Sequence, residues 1–153
     1  MKVAEVLQGK GSQISEIGTE VVKIGENSTV GEAVEKLVDH NIGSLVVVDS
    51  KGEISGIITE RDILRKYSEF KGSLEQKPIS EVMTTNVIFV QPSNDVEYIK
   101  KLMTNNRVRH LPVMKGSELI GIISIGDVLK AEHDKCIREE KSMEDYITGK
   151  YPG

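Results

Sequence analysis

Gly56-Ile57-Ile58-Thr59-Glu60-Arg61-Asp62 returns later in the chain as Gly121-Ile122-Ile123-Ser124-Ile125-Gly126-Asp127. Each copy reads as a short apolar strand that delivers a hydroxyl residue and, three positions on, an acid where a helix begins. One copy of so short a pattern is a weak signal, but two at matched places define a duplicated unit. A hydroxyl, a carboxylate and a helix N-terminus brought together suit a sugar and a phosphate. The duplication therefore predicts two candidate sites.

The repeat is wider than this motif. Ile24 with Val90, Val30 with Val96, Ala33 with Ile99, Leu37 with Met103 and Ile42 with Val108 all keep an offset of 66. The offset falls to 65 at Gly56 with Gly121, so the second copy is one residue shorter in the turn where Val48-Asp49-Ser50-Lys51-Gly52 becomes Met114-Lys115-Gly116. Ile14-Ser15-Glu16-Ile17 likewise echoes Ile79-Ser80-Glu81-Val82. A period this long exceeds the roughly 20 to 50 residues of solenoid repeats and predicts two fused subdomains, neither stable alone.

Within each half the expected order is strand, helix, two strands, helix. Short strands at Val21 to Ile24 and Val87 to Val90 precede helices capped by Asn27-Ser28-Thr29 and Ser93-Asn94-Asp95. Val30, Ala33, Val34, Leu37 and Val38 form one helical stripe that needs a partner, and the sheet is the natural one. Leu45 to Val48 and Ile54 to Ile58, joined by Asp49-Ser50-Lys51-Gly52, read as a hairpin matched by Leu111 to Met114 with Leu119 to Ile123. Second helices start at Thr59 and Ser124. Pro112 lacks the donor a central strand uses, which predicts an edge strand or one beside an opening. Ser68 to Pro78 reads as the connecting loop. Val3, Val6 and Leu7 predict a short N-terminal helix stopped by Gly9-Lys10-Gly11. Leu129, Cys136 and Met143 lie seven apart on a long C-terminal helix, spacing that suits either a dimer seam or packing along its own domain.

The composition sets the class. At 153 residues and 16.9 kDa the chain sits at single-domain size, with 38% hydrophobic and 29% charged residues. No apolar run approaches the ~20 residues of a membrane span, and Met1-Lys2-Val3-Ala4-Glu5 lacks the apolar stretch of a signal peptide, so no membrane partner is expected. Cys136 is the one cysteine, which excludes an internal disulfide and predicts a cytoplasmic protein. A net charge of −4 argues against nucleic acid as the main partner.

The strand, helix, two strands and helix ending in Gly-Ile-Ile-Thr-x-x-Asp, repeated once, resemble the CBS domain pair, or Bateman module, over nearly the whole chain. Both hallmarks of that family stand in the second half, where Arg109-His110-Leu111-Pro112-Val113 precedes Gly121 to Asp127. The first half departs from the pattern, with Gly43-Ser44-Leu45-Val46-Val47 in place of the basic pair. The resemblance implies an α+β fold of two tandem βαββα motifs related by pseudo-two-fold symmetry. Residues 1–153 then form one module, with motif 1 at 14–70, motif 2 at 79–135, and a C-terminal helix and tail at 136–153. The flanking helices and the Ile125-Gly126-Asp127-Val128 turn are similar to small stand-alone CBS-pair proteins, a group associated with adenine nucleotides and in some cases NAD(H).

Each candidate residue also has a plainer reading. Thr59 and Ser124 are natural N-caps, worth about 1 kcal/mol with no ligand. Asp62 and Asp127 are favoured in a first turn by the helix dipole; the resemblance gives both a hold on ribose hydroxyls. Arg109 and His110 are neighbours on one strand, hence on opposite faces unless the backbone bends, and the resemblance brings this position to phosphate. Arg61 suits phosphate by its bidentate fork, or simple ion pairs with Glu60 and Asp62. With no tryptophan and two phenylalanines, adenine needs aliphatic walls. Val87, Leu111 and Ile123 are the candidates in the second site and Val21, Leu45 and Ile58 in the first, with backbone near Thr84 to Val87 reading the purine edge. All of them are also ordinary core residues.

No positioned nucleophile, acid–base pair or metal set is legible. His133 and Cys136 lie three apart on a helix, but nothing completes a set of four ligands. The expectation is a non-enzymatic regulatory module that binds AMP, ADP or ATP as a homodimer and signals to an unidentified protein. The alternatives are a scaffold with empty sites and an NAD(H)-binding redox sensor.

Overall fold

The computed structural model describes residues 1–9 and 21–147. The order of elements is α1 (Val3–Gly9), β1 (Lys23–Gly25), α2 (Val30–His40), β2 (Ser44–Val48), β3 (Ile54–Thr59), α3 (Glu60–Phe70), two 3-10 turns (Lys71–Gln76 and Ile79–Glu81), α4 (Val96–Asn106), β4 (His110–Lys115), β5 (Glu118–Ser124) and α5 (Ile125–Ile147). The echo at Ile14 to Ile17 and the stop at Lys10-Gly11 lie outside the described residues.

The hairpins form as their alternation requires. β2 and β3 pair antiparallel with Ser44 opposite Thr59 and Leu45 opposite Ile58. β4 and β5 repeat this with His110 opposite Ser124 and Leu111 opposite Ile123. Each hairpin shifts register once near its turn, where Gly52 and Gly116 take the positive φ that glycine tolerates. The helices carry the repeat equally well. Val30, Ala33 and Leu37 are buried on α2, and their counterparts Val96, Ile99 and Met103 are buried on α4.

Several expectations need correction. The first strand starts later than Val21, at Lys23, and runs parallel to β2. Val87 to Val90 forms no strand; only Val90 pairs, parallel, with Val113. Pro112 explains the difference. In the first half Val46 N–H donates to Val22 O at 3.3 Å, and Pro112 occupies the equivalent position without an N–H. The result is a three-stranded sheet in one half and a two-stranded sheet in the other, with β4 at an edge. Ser68 to Pro78 is not a free loop, since α3 continues to Phe70 and a 3-10 turn buries Leu74. The α2 stripe splits, leaving Val34 and Val38 exposed. Thr29 caps α2 by accepting from Glu32 N–H, whereas Asp95 caps α4 with no side-chain bond and instead pairs with Lys2 at 2.9 Å.

Two hydrophobic cores result, and each is completed by a segment from outside its own motif. Val3, Val6 and Leu7 of α1 pack among Val90, Ile99, Leu111, Val113, Ile123 and Val128 of the second half. Leu74, just before the second motif, and Ile79 and Val82 at its start pack among Ile24, Val30, Leu45, Val47 and Ile58 of the first. α5 runs unbroken through position 136, with Leu129, Cys136 and Met143 all exposed, so this row does not pack along its own domain.

Candidate functional site

Both copies of the motif place strand, hydroxyl and acid as one unit. Thr59 Oγ1 accepts from Asp62 N–H at 3.2 Å, and Asp62 Oδ2 accepts from Thr59 N–H at 3.0 Å, a reciprocal capping box that anchors α3 to the end of β3. Thr59 Oγ1 also donates to the same carboxylate at 3.1 Å. In the second copy Ser124 Oγ accepts from Asp127 N–H at 3.0 Å, and Asp127 Oδ2 accepts from Ser124 N–H at 2.9 Å. The helix starts are fixed to the neighbouring strand as well, by Glu60 N–H on Gly43 O (3.1 Å) and Ile125 N–H on Arg109 O (2.9 Å). The hydroxyl and acid in each copy are half-buried at the strand end, so both are held in place yet reachable.

Thr84 lies within the second motif by sequence but packs against the first copy. It pairs with Ile57 through two backbone bonds of 3.0 and 2.8 Å, and its hydroxyl donates to Asp62 Oδ1 at 3.1 Å. Gly56 is required for this approach, because a Cβ there would stand 2.7 Å from Thr84 O and 2.8 Å from Met83 Sδ. The motif's first residue is therefore glycine for a steric reason. Asp62 is braced on both carboxylate oxygens, a preorganised acceptor rather than a free one.

The proposed aliphatic walls separate into two kinds. Leu45, Ile58, Leu111 and Ile123 are buried to within 1% and fill the two cores. Pro112 is also buried, whereas Val21 and Val87 are half-buried. Arg109 and Arg61 are exposed, and among the described residues Arg61 forms neither of the ion pairs its neighbours offered. His110 is half-buried and reaches across the halves: a Cβ on Gly43 would meet His110 Nε2 at 3.1 Å and Glu60 Oε1 at 2.9 Å. Sequence reading missed this junction. Its signal was present in the alignment of the two halves, where Glu60 faces Ile125 and Gly43 faces Arg109.

Among the described residues no group of three or more His, Cys, Asp or Glu side chains is placed to hold a metal. No helix of the described residues is long and apolar enough to cross a membrane.

Two such hairpin-and-helix units, each ending in a hydroxyl–acid cap, define a duplicated α+β module. The CBS domain family matches residues 14–69 and 79–134, and the chain belongs to that family as a CBS-domain pair, a regulatory ligand-binding module. It is 41% identical over 130 residues to a mitochondrial CBS domain-containing protein of Arabidopsis thaliana, across 82% of this chain and 63% of that one, so it spans less than two thirds of that relative. It is 34% identical over 110 residues to the CBS domain-containing protein YhcV of Bacillus subtilis, covering 72% of this chain and 77% of the relative. Among solved structures, a CBS-domain protein of Agrobacterium tumefaciens superposes with a TM-score of 0.78 at 37% identity, over 86% of this chain and 92% of that one. A further CBS domain pair, solved in complex with 5′-methylthioadenosine and S-adenosyl-L-methionine, superposes with a TM-score of 0.66 at 28% identity, over 78% of this chain and 94% of its own.

Proposed function

We propose that this chain is a non-catalytic cytoplasmic regulator that binds adenine nucleotides (AMP, ADP or ATP) and reports their level to a partner protein. The observation that carries this reading is the doubled hydroxyl–acid cap, each copy pinned to a strand end with an acid fixed beside a helix N-terminus. The neighbour solved with two adenosine derivatives supports an adenosine-class ligand.

In this reading Asp127 and Ser124 receive ribose in the second site, and Arg109 and His110, which enter the strand opposite Ser124, meet the phosphate. Asp62, Thr59 and Thr84 serve the first site, with Arg61 at its rim. The half-buried Val21 and Val87 supply open aliphatic wall, while Leu45, Ile58, Leu111, Ile123 and Pro112 form the floor behind. The signal passes through a homodimer, to which the exposed Val34, Val38 and Leu64 contribute. They line a groove of about 450 Å³ together with Leu37, Asn41, Ile42, Glu60 and Ile63. A ligand shifts such an assembly only by its differential affinity for the two packings. The same groove favours a scaffold role as the second reading. A dinucleotide such as NAD(H) is the third, favoured by His110 lying against the other half's helix start.

Thermal unfolding with AMP, ADP, ATP, NAD+ and NADH separates these. A ligand at 100 times its Kd stabilises the fold by about 2.7 kcal/mol. No shift with any of them at millimolar concentration would sink the sensor reading and leave the scaffold. Asp127→Ala is expected to abolish binding at the second site while the fold persists; unchanged affinity removes Asp127 from the site.

A further inference from the structure

Several helix positions that are polar in the second half are apolar and exposed in the first. At the offsets of the repeat, Val34 and Val38 on α2 match Lys100 and Thr104 on α4, and Tyr67 on α3 matches Glu132 on α5. In the second half Lys100 reaches from α4 to Glu132 at 3.0 Å and holds Glu97 at 2.8 Å, so that helix pair is closed by its own side chains. Val128 on α5 is fully buried. In the first half Ile63, its counterpart, is only half-buried. Val34, Val38 and Leu64 stand exposed along the groove between α2 and α3, with Tyr67 exposed one turn further along α3.

The charges around this groove are sorted by sign. Glu60 N–H bonds Gly43 O, so α3 begins where α2 ends, and Gly31 at the start of α2 lies against Glu75 in the turn after α3. The two helices therefore flank the groove in opposite directions. Glu35 and Asp39, one position on from Val34 and Val38, form the outer edge of α2, with Glu32 one turn before. Arg61 and Arg65, one position on from Glu60 and Leu64, form the outer edge of α3, with Arg61 at the end nearest the first site. All of these edge residues are exposed. The remaining charges on the two helices are engaged elsewhere: Lys36 donates to Lys23 O at 2.9 Å, Lys66 pairs with Glu69 at 3.1 Å, and Asp62 is held in the cap. Glu60, the one charged residue lining the groove, sits at its end. An acidic edge, an apolar groove and a basic edge thus lie side by side.

Such a face complements a reversed copy of itself. We propose that two copies of this chain pair through α2 and α3 of their first halves, each α2 lying over the partner's α3 about a two-fold axis that runs along the groove. The four helices then enclose Val34, Val38, Leu64 and Tyr67 from both copies, and Glu35 and Asp39 meet Arg65 of the partner subunit and Arg61 of the partner subunit. Stacking α2 on α2 would instead set the acidic edges against each other, and like charges at short range repel. The second halves take no part, because Lys100 and Glu132 already neutralise each other across the matching groove. This specifies the homodimer proposed above and rests on that reading.

The test is sedimentation equilibrium of the full chain. The unmodified protein is expected to be a dimer, and Leu64→Glu to weaken it by about a hundredfold, since every change enters a two-fold interface twice. Leu129→Glu, the matching change in the second half, is expected to leave the dimer Kd within about twofold. Both side chains are more than half exposed, so neither change disturbs a core. Glu35→Arg and Arg65→Glu are each expected to weaken the dimer about fivefold, and the two together to restore it to within about twofold of the unmodified protein. A monomeric unmodified chain overturns the homodimer itself and leaves the nucleotide reading to its own test. A dimer that survives Leu64→Glu, or that Leu129→Glu breaks equally, overturns this face and leaves the homodimer standing. Tightening by Glu35→Arg, or a double variant that fails to recover, overturns the stacking of α2 on α3.

Discussion

The first half of the molecule completes a three-stranded sheet and the second stops at two strands, although both carry the same order of helices and hairpin. One residue accounts for it, since Pro112 removes the donor that Val46 supplies at the matching place. Their cores differ in the same instructive way. The second core is filled by Val3, Val6 and Leu7 of α1, and the first by Leu74 of the connection with Ile79 and Val82 from the start of the second motif. Each half is closed by a segment that precedes the other, so each core draws on residues outside its own motif.

The strongest way to break this comparison is to remove α1. Deleting residues 1–9 takes three fully or nearly buried side chains from the second core, at about 1.5 to 3 kcal/mol each by area, an upper estimate because unfolded chains are already partly collapsed. Hydrogen exchange is expected to show β4 and β5 losing protection before β2 and β3. Equal loss in both sheets would mean that the halves melt as one regardless of which segment fills which core.

Gly56→Ala probes the swap from the other side. Its Cβ would press on the Thr84 carbonyl at 2.7 Å, which belongs to backbone and cannot swing away. The expected cost is about 1 to 3 kcal/mol in denaturant unfolding, with loss of first-site binding. Binding at the second site is expected to survive, and its loss would show that the sites are coupled.

Thr84→Val removes one hydroxyl bond to Asp62 and keeps the shape. About 1 kcal/mol of stability is expected to go, with weakened binding at the first site only. If second-site affinity fell instead, the assignment of Thr84 to Asp62's site would be wrong.

The smallest effect is electrostatic. Hydrogen bonding and charge attraction from Lys2 hold the Asp95 carboxyl below its ordinary range, tying α1 to the start of α4. A carboxyl depressed in the folded state adds stability that is present above its unfolded pKa and is lost as pH falls through the folded one. Asp95→Asn is expected to flatten the acid limb of a stability–pH profile slightly, and high salt to mimic the substitution. A profile unchanged by either would assign α1 docking to its apolar face alone.

Much of this was legible from residues. The matched trios on α2 and α4, the two hairpins, and the capping roles of Thr59 and Ser124 follow from local periodicity and turn chemistry, which act over a few neighbouring residues. The errors share a cause. Val87 to Val90 has strand composition, but pairing depends on the donor of a residue more than twenty positions away. Ser68 to Pro78 has loop composition, but Leu74 within it is drawn into the first core by packing against distant residues.

The sequence by itself determined the duplicated α+β unit, its paired hydroxyl–acid caps and the unequal charge of the two copies. Only the tertiary structure decided that Thr84 braces Asp62, that His110 lies against Gly43 and Glu60, and that each half's core is closed by the other's leading segment. Hydrophobic spacing tells a segment which of its faces must be covered, but hydrophobic attraction is non-directional, so the covering partner is chosen by long-range packing and steric fit.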